Sequence, residues 1–261
     1  MNTCTLLLLV VVGAAVMVSD CDSWALTGHR VCANVARRLI PSPILKHVET
    51  EVLDHETLDG VSNVADETPR SLAAMHYVNY NVTPTRSARK VLEYTENNMT
   101  STYRWDAAFI TNVVHLLCDL HQPLHVVPYA DVPSTFTETQ WVNGQNTTLH
   151  TIWDTLPDLR LLSHHIYAEW LVNKLKANTY ALLFEQDRPH KWLDSRRYAY
   201  DAAKRLNDNL ARCHTNAGSK LLINSCNYRF VDSARALVDE SLLYGGVRLA
   251  AYITSLYSLD V

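Results

Sequence analysis

Glycine is scarce in this chain. Only seven occur in 261 residues, whereas an average protein carries about 7%. So few glycines argue against a fold built on many tight turns and favour helices. The longest apolar run, Leu6 to Val18, has thirteen residues, short of the roughly 20 that a helix needs to cross a bilayer. Positive charge is not in excess, since the formal net charge is −4. That excludes nucleic-acid recognition through a broad basic face, so any phosphate-binding charge must be local. No CxxC pair occurs, which removes the cysteine-rich structural zinc frameworks. Internal repeats and low-complexity linkers are also missing.

The chain does contain a large apolar fraction, 48%, enough for a substantial core. Helical periodicity recurs over 29–40, 87–99, 103–121, 164–186, 190–211 and 229–257. The first of these should stop at Pro41 and Pro43. The segment 103–121 is long and largely apolar and should be central. Gly245-Gly246 marks a bend in the last helix. Residues 127–145 read as irregular, with room for a short hairpin. The fold class expected is all-α, with a single mainly helical domain over 24–261.

Residues 1–23 read as a secretion signal. The Leu6–Val18 run is its apolar region, and Cys21 and Ser23 fit the small-residue positions before a cleavage site, although the preceding residues lack Lys and Arg. Processing would leave Trp24 as the first residue, in the secretory lumen or outside the cell. Disulfides are then plausible. Cys213 and Cys226 flank a polar loop and form a natural pair, while Cys32 and Cys118 either pair or remain buried thiols. Asn81, Asn98 and Asn146 each open a glycosylation sequon.

Candidate chemistry concentrates in "HLLCDLHQPLH", residues 115–125. His115 and Asp119 are four apart, on one face of a helix and one turn apart. Pro123 breaks that helix, so His125 beyond it can serve a second site. His150 and Asp154 repeat the four-residue spacing. Asp66, His76 and His29 are likewise flanked by apolar residues. Any one such pair is most often a surface pair or a satisfied core histidine. Eight such residues in apolar settings are different, because burying them without cations would leave carboxylates uncompensated. Imidazole mixed with carboxylate suits a catalytic divalent metal, zinc above all. A freed Trp24 amine with its carbonyl would add a chelating pair.

Trp24, Gly28-His29, "ADE" (65–67), "HYV" (76–78), "HLLCDLHQPLH" (115–125) and "LHTIWD" (149–154), in that order, resemble the zinc-dependent single-strand nucleases with 3′-nucleotidase activity. "GGVRLAAYI" (245–253) resembles the last helix of that family. The family has the helical zinc fold of bacterial phospholipase C. The resemblance implies three Zn²⁺. One would be held by Asp66, His76, His115 and Asp119. A second would be held by the Trp24 amine and carbonyl, His29 and the shared Asp119. A third would be held by His125, His150 and Asp154. It implies cleavage of single-stranded RNA and DNA to 5′-nucleotides, phosphate release from 3′-nucleotides, and a monomer with no stable protein partner. Three doubly charged ions outweigh three aspartates, so the pocket would be positive in a net-negative chain. Tyr77 stands where the family places a base-stacking aromatic, and core packing is an equal reading of it. Asn79 stands at a polar base contact.

The chain also departs from the family. A basic residue often lies three positions after the equivalent of Asp66. Here that position is Pro69, and Arg70 follows as the candidate phosphate contact. A small residue often precedes the central aspartate, and here it is Cys118. The usual cysteine pattern is not reproduced, so no disulfide carries over. The stretch between Pro128 and His150 is short. His121 has no place among the ligands and is expected to face solvent or a partner behind the site. Two other functions compete: a zinc-dependent phospholipase C, which would need a more apolar rim, and a non-catalytic secreted metal-binding protein.

Overall fold

The computed structural model describes residues 7–11, 14–18, 24–67, 76, 78–80, 106–128, 139–142, 145–177, 199–209 and 225–259. The fold is mainly helical, as expected. Its helices are α1 (Leu26–Leu39), α2 (Ser42–His47), α3 (Leu58–Val61), α4 (Ala107–Asp119), α5 (Leu149–Thr155), α6 (His164–Ala177), α7 (199–209) and α8 (Ser225–Leu259). The strands are short. Those named β1 (Leu7–Val11) and β2 (Ala14–Val18) pair antiparallel inside the expected leader. Strand β3 (Val78–Tyr80) pairs parallel with β4 (Val126–Pro128), and β5 (Thr139–Val142) pairs antiparallel with β6 (Gln145–Thr148). The hairpin foreseen in 127–145 therefore lies at its far end and runs past it. Expected helix 87–99 lies outside the described residues. No helix among the described residues is long and apolar enough to cross a membrane.

Helix α1 is the axis of the core. Gly28, His29, Val31, Cys32, Ala33, Asn34, Val35 and Ala36 are all buried, and α3, α4, α6 and α8 pack around it. Its last turn carries Arg37 and Arg38, favourably placed at the negative end of the helix dipole. Arg37 clamps Glu49 through Nε to Oε1 at 2.6 Å and Nη2 to Oε2 at 3.1 Å. That fork ties α1 to the one-turn π segment Val48–Val52. The helix ends before Pro41, as expected. Pro43 does not prolong the break, because it sits in the first turn of α2, where its missing N–H costs nothing.

Side-chain caps start two of the helices that carry the polar cluster. Asp106 accepts from the Ala108 N–H at 3.0 Å at the head of α4. Thr148 accepts from the Thr151 N–H at 3.1 Å at the head of α5. Both are standard ways of satisfying orphan donors in a first turn. Trp153, fully buried, donates Nε1–H to Asn207 Oδ1 at 3.0 Å and so ties α5 to α7. The α6–α8 contact is held by Asp239, which accepts from Tyr167 Oη and pairs with Arg160.

Gly245-Gly246 do not interrupt α8, which is continuous from Ser225 to Leu259. The two glycines serve close approach. A Cβ at Gly246 would lie 2.4 Å from Val35 Cβ, and one at Gly245 would lie 2.9 Å from Cys32 Sγ. Cys32 and Cys118 form a disulfide, which settles the alternative left open by the sequence. Cys213 lies outside the described residues, as does the side chain of Cys226.

Candidate metal centre

Three separate pieces of chain deliver the polar side chains to one place. Helix α1 brings His29, α4 brings His115 and Asp119, and the 3-10 turn Val64–Glu67 brings Asp66. The β3–β4 pairing sets Val78 against Val126, which draws His76 and His125, just upstream of the two strands, together. His125 Nδ1–H donates to the His76 carbonyl at 2.7 Å.

Asp119 is the hub. Its Oδ2 lies 2.9 Å from His76 Nδ1 and 3.1 Å from His115 Nε2, and its Oδ1 lies 3.2 Å from His29 Nε2. Asp66 approaches the same donors, with Oδ1 3.3 Å from His115 Nε2 and 3.8 Å from His76 Nδ1. His29 and His115 stack with centroids 4.0 Å apart. His29, His115 and Asp119 are sealed from solvent, while the Asp66 side chain is 20% exposed.

The second group is His125, His150 and Asp154. His150 and Asp154 face each other across one turn of α5, Nδ1 to Oδ2 at 3.0 Å. The His125 and His150 rings stack at 4.8 Å, and His125 Nε2 lies 4.0 Å from Asp154 Oδ1. The Ala25 N–H donates to the Asp154 carbonyl at 3.1 Å, and Trp24 Nε1–H donates to the Cys118 carbonyl at 3.1 Å. Trp24 and Ala25 therefore reach both the residue preceding Asp119 and the main chain of Asp154.

This donor set fits divalent cations. The Nδ1 of His115 donates to the Ser62 carbonyl at 2.7 Å. That leaves its Nε2 lone pair facing two carboxylates and, at 2.9 Å, His76 Nδ1. Such a meeting of acceptors is repulsive unless protons or a cation sit among them. In the second group, His125 Nε2 is buried without a hydrogen-bond partner, and buried Asp154 Oδ2 has the His150 Nδ1 contact at 3.0 Å but no well-formed hydrogen bond, a costly arrangement unless an ion is coordinated there. Separations near 3 Å match ligand atoms around one tetrahedral zinc, about 3.3 Å for bonds of about 2.0 Å.

The titration behaviour of the metal-free chain follows. Burial works against charge on His115, but Asp119 and Asp66 outweigh it and hold its pKa up to about 10. Burial alone would raise the Asp119 pKa; the charges of His115, His125 and His29 pull it well below the carboxylate range. Burial pushes His29 down, with His115 adding to the effect. Burial likewise drives His125 down to about 4 and Asp154 well above its ordinary value. The first group thus holds a proton where a metal would sit, and in the second His125 is uncharged at neutral pH.

Several contributors were not read from the sequence. Gln122 donates Nε2–H to Asp154 Oδ1 at 2.7 Å and accepts the Leu124 N–H. Its only cue was its place beside Pro123. Buried partners that orient ligands typically change metal affinity by 10–100-fold. Gln122→Ala is therefore expected to weaken one metal equivalent by about 10–100-fold and leave the others unchanged, as measured by chelator competition. His121 does not face solvent. It is fully buried, its Nδ1–H donates to the Leu117 carbonyl at 2.7 Å, and its Nε2 accepts from Arg248 at 2.8 Å. Asp59, His164 and His165 also converge, but Arg37 lies 3.4 Å from Asp59 and Asn34 bonds His165 at 3.0 Å. Their charges and lone pairs are already engaged.

Arg70 and Tyr77 lie outside the described residues, as do Asn81 and Asn98. Asn79 and Asn146 lie on β3 and β6, but their side chains lie outside.

A sequence model of the family described as S1/P1 nuclease covers residues 24–258. No curated protein matches the chain.

Proposed function

Because the chain belongs to the S1/P1 nuclease family, we propose that it is a secreted, zinc-dependent enzyme that cuts single-stranded RNA and DNA to 5′-nucleotides and releases phosphate from 3′-nucleotides. Membership makes it a nuclease, a hydrolase of phosphodiester bonds with nucleic acid as substrate. It would act as a monomer. The observation that carries this reading is the crowding of His29, Asp66, His76 and His115 about Asp119, with His125, His150 and Asp154 next to them.

Three zinc ions are assigned. Asp66, His76, His115 and Asp119 would hold one. Asp119, His29 and the processed Trp24 terminus would hold another. His125, His150 and Asp154 would hold the third. Bound zinc supplies Lewis-acid polarisation of phosphoryl oxygens and acidifies water toward neutrality. The protein's own residues supply the geometry. The Ser62 carbonyl fixes the His115 tautomer, the His76 carbonyl fixes that of His125, and Gln122 fixes the Asp154 carboxylate. The Asp66 side chain, 20% exposed, is the part of the first group most open to solvent. Arg70 is assigned to phosphate contact, Tyr77 to base stacking and Asn79 to a base edge. A base must leave its stack to reach such a pocket, which favours single strands.

The direct test is release of acid-soluble nucleotide from single-stranded RNA or DNA, together with phosphate release from 3′-AMP. Both should disappear with a chelator and return with zinc. Activity that survives exhaustive chelation would overturn the metal assignment.

Proton release gives an independent check. In the metal-free chain the His115 pKa stands at about 10, against an ordinary 6.5. The stability this proton gives is complete below the unfolded value of about 6.5 and is lost as pH rises through about 10. Zinc must displace it, so near neutral pH zinc uptake expels a proton, and zinc affinity climbs with pH. A weakly buffered titration with an indicator dye should show acidification on zinc addition. The acidification should be smaller with Asp119→Ala, because the Asp119 carboxylate is the largest influence raising the His115 pKa.

A further inference from the structure

The Cys32–Cys118 disulfide is placed as a brace for the metal ligands. Cys32 follows His29 by three residues on α1, and Cys118 immediately precedes Asp119 on α4. Residues three apart on a helix share a face, so the bridge joins the His29 side of α1 to the end of α4 that carries the hub carboxylate. The joined Cα atoms are 6.1 Å apart, and beside them His29 Nε2 meets Asp119 Oδ1 at 3.2 Å. Both cysteines are fully buried. A Cβ at Gly245 would lie 2.9 Å from Cys32 Sγ, so α8 backs the bridge and leaves little room for it to shift. The Cys118 carbonyl also accepts from Trp24 Nε1. Among the ligands of the first group, only His29 comes from α1; His115 and Asp119 share α4. The separation of α1 from α4 therefore governs whether His29 and Asp119 can share an ion, and it does not govern the His125, His150 and Asp154 group in the same way.

We propose that the Cys32–Cys118 bridge is a positioning element that sets the His29–Asp119 separation and so determines the affinity of the metal ion those two residues share. The proposal rests on the metal assignment above. A bridge that only stabilised the fold would change all sites together. A positioning bridge changes one.

The test uses the processed full chain and the Cys32→Ala/Cys118→Ala variant, which leaves no thiol to bind metal. Zinc stoichiometry is measured at a series of buffered free zinc concentrations, with the fold followed by circular dichroism. One zinc equivalent should bind at least tenfold more weakly in the variant, with the rest unchanged. A folded variant with every equivalent at wild-type affinity, or with all weakened alike, overturns the proposal. If the wild-type chain binds no zinc, the metal assignment fails and the proposal falls with it.

Should the variant not fold, the wild-type bridge itself can be read. Tris(carboxyethyl)phosphine, with one water supplying the oxygen and both protons, cleaves it to two thiols and becomes the phosphine oxide. Coupling between sites is reciprocal, so zinc should slow this cleavage at least tenfold. The slowing should be lost in His29→Ala and kept in His150→Ala. Equal slowing in both variants, or none in the wild type, overturns the proposal.

Discussion

Asp119→Ala should lower kcat/KM on single-stranded nucleic acid by about 10³-fold or more, above the 10–100-fold usual for partners behind a metal ligand. The reason lies in its contacts. Its two oxygens face His29, His76 and His115 at 2.9–3.2 Å, and no other described residue reaches all three so closely. Asp66 approaches the same nitrogens only at 3.3–3.9 Å. Removal of the hub therefore affects both proposed ions of the close pair. Asp119→Asn provides the sharper comparison, because it retains the volume and one acceptor oxygen but not the charge. It should lose nearly as much activity as alanine if the carboxylate bridges cations. Zinc analysis of both variants, alongside circular dichroism, separates this from unfolding. Activity within tenfold of wild type in a folded variant would remove Asp119 from the chemistry.

The hub was legible in the sequence because two residues four apart on a helix need no long-range information to be placed together. The same holds for His150 and Asp154. The convergence of these pairs was not available from spacing. It depends on β3 pairing with β4 and on Ala25 bonding the Asp154 carbonyl, contacts between distant segments. Family resemblance supplied what periodicity could not. Gln122 and the Ser62 carbonyl were missed for a related reason: a glutamine beside a proline, or any main-chain oxygen, carries no local mark of the histidine or aspartate it will orient. The two readings of His121, solvent or a partner behind the site, stayed open in the sequence because the partner, Arg248, is 127 residues away. The helices themselves were largely legible from apolar periodicity, as for α1 and α4. Pro43 was read as a stop because proline both interrupts a helix and opens one, and only the following residues decide between the two.

Gly246→Ala should destabilise the protein by about 1–3 kcal/mol, the usual range for overpacking, and local rules predict the opposite sign. In an exposed helix interior, glycine to alanine gains about 1 kcal/mol, and a glycine pair in a long helix reads as a weak point. Here α8 is unbroken, and the added Cβ would lie 2.4 Å from both Val35 Cβ and Val35 Cγ1 and 2.7 Å from the Cys32 carbonyl. Two of those three atoms cannot be moved by a rotamer change, so α1 or α8 must shift. At about 2–4 °C per kcal/mol for a chain of this size, the melting temperature should fall by several degrees, with a matching drop in denaturant midpoint. Val35→Ala in the same chain removes only the Cγ1 clash, so it should recover part of the loss, beyond what the two single changes sum to. Because α1 carries His29 and Cys32, the displacement should also weaken zinc retention at the His29–Asp119 pair. A Gly246→Ala protein more stable than wild type would mean that α8 and α1 do not pack this closely. The reading of the glycine pair as a contact surface would then give way to the bend first expected from the sequence.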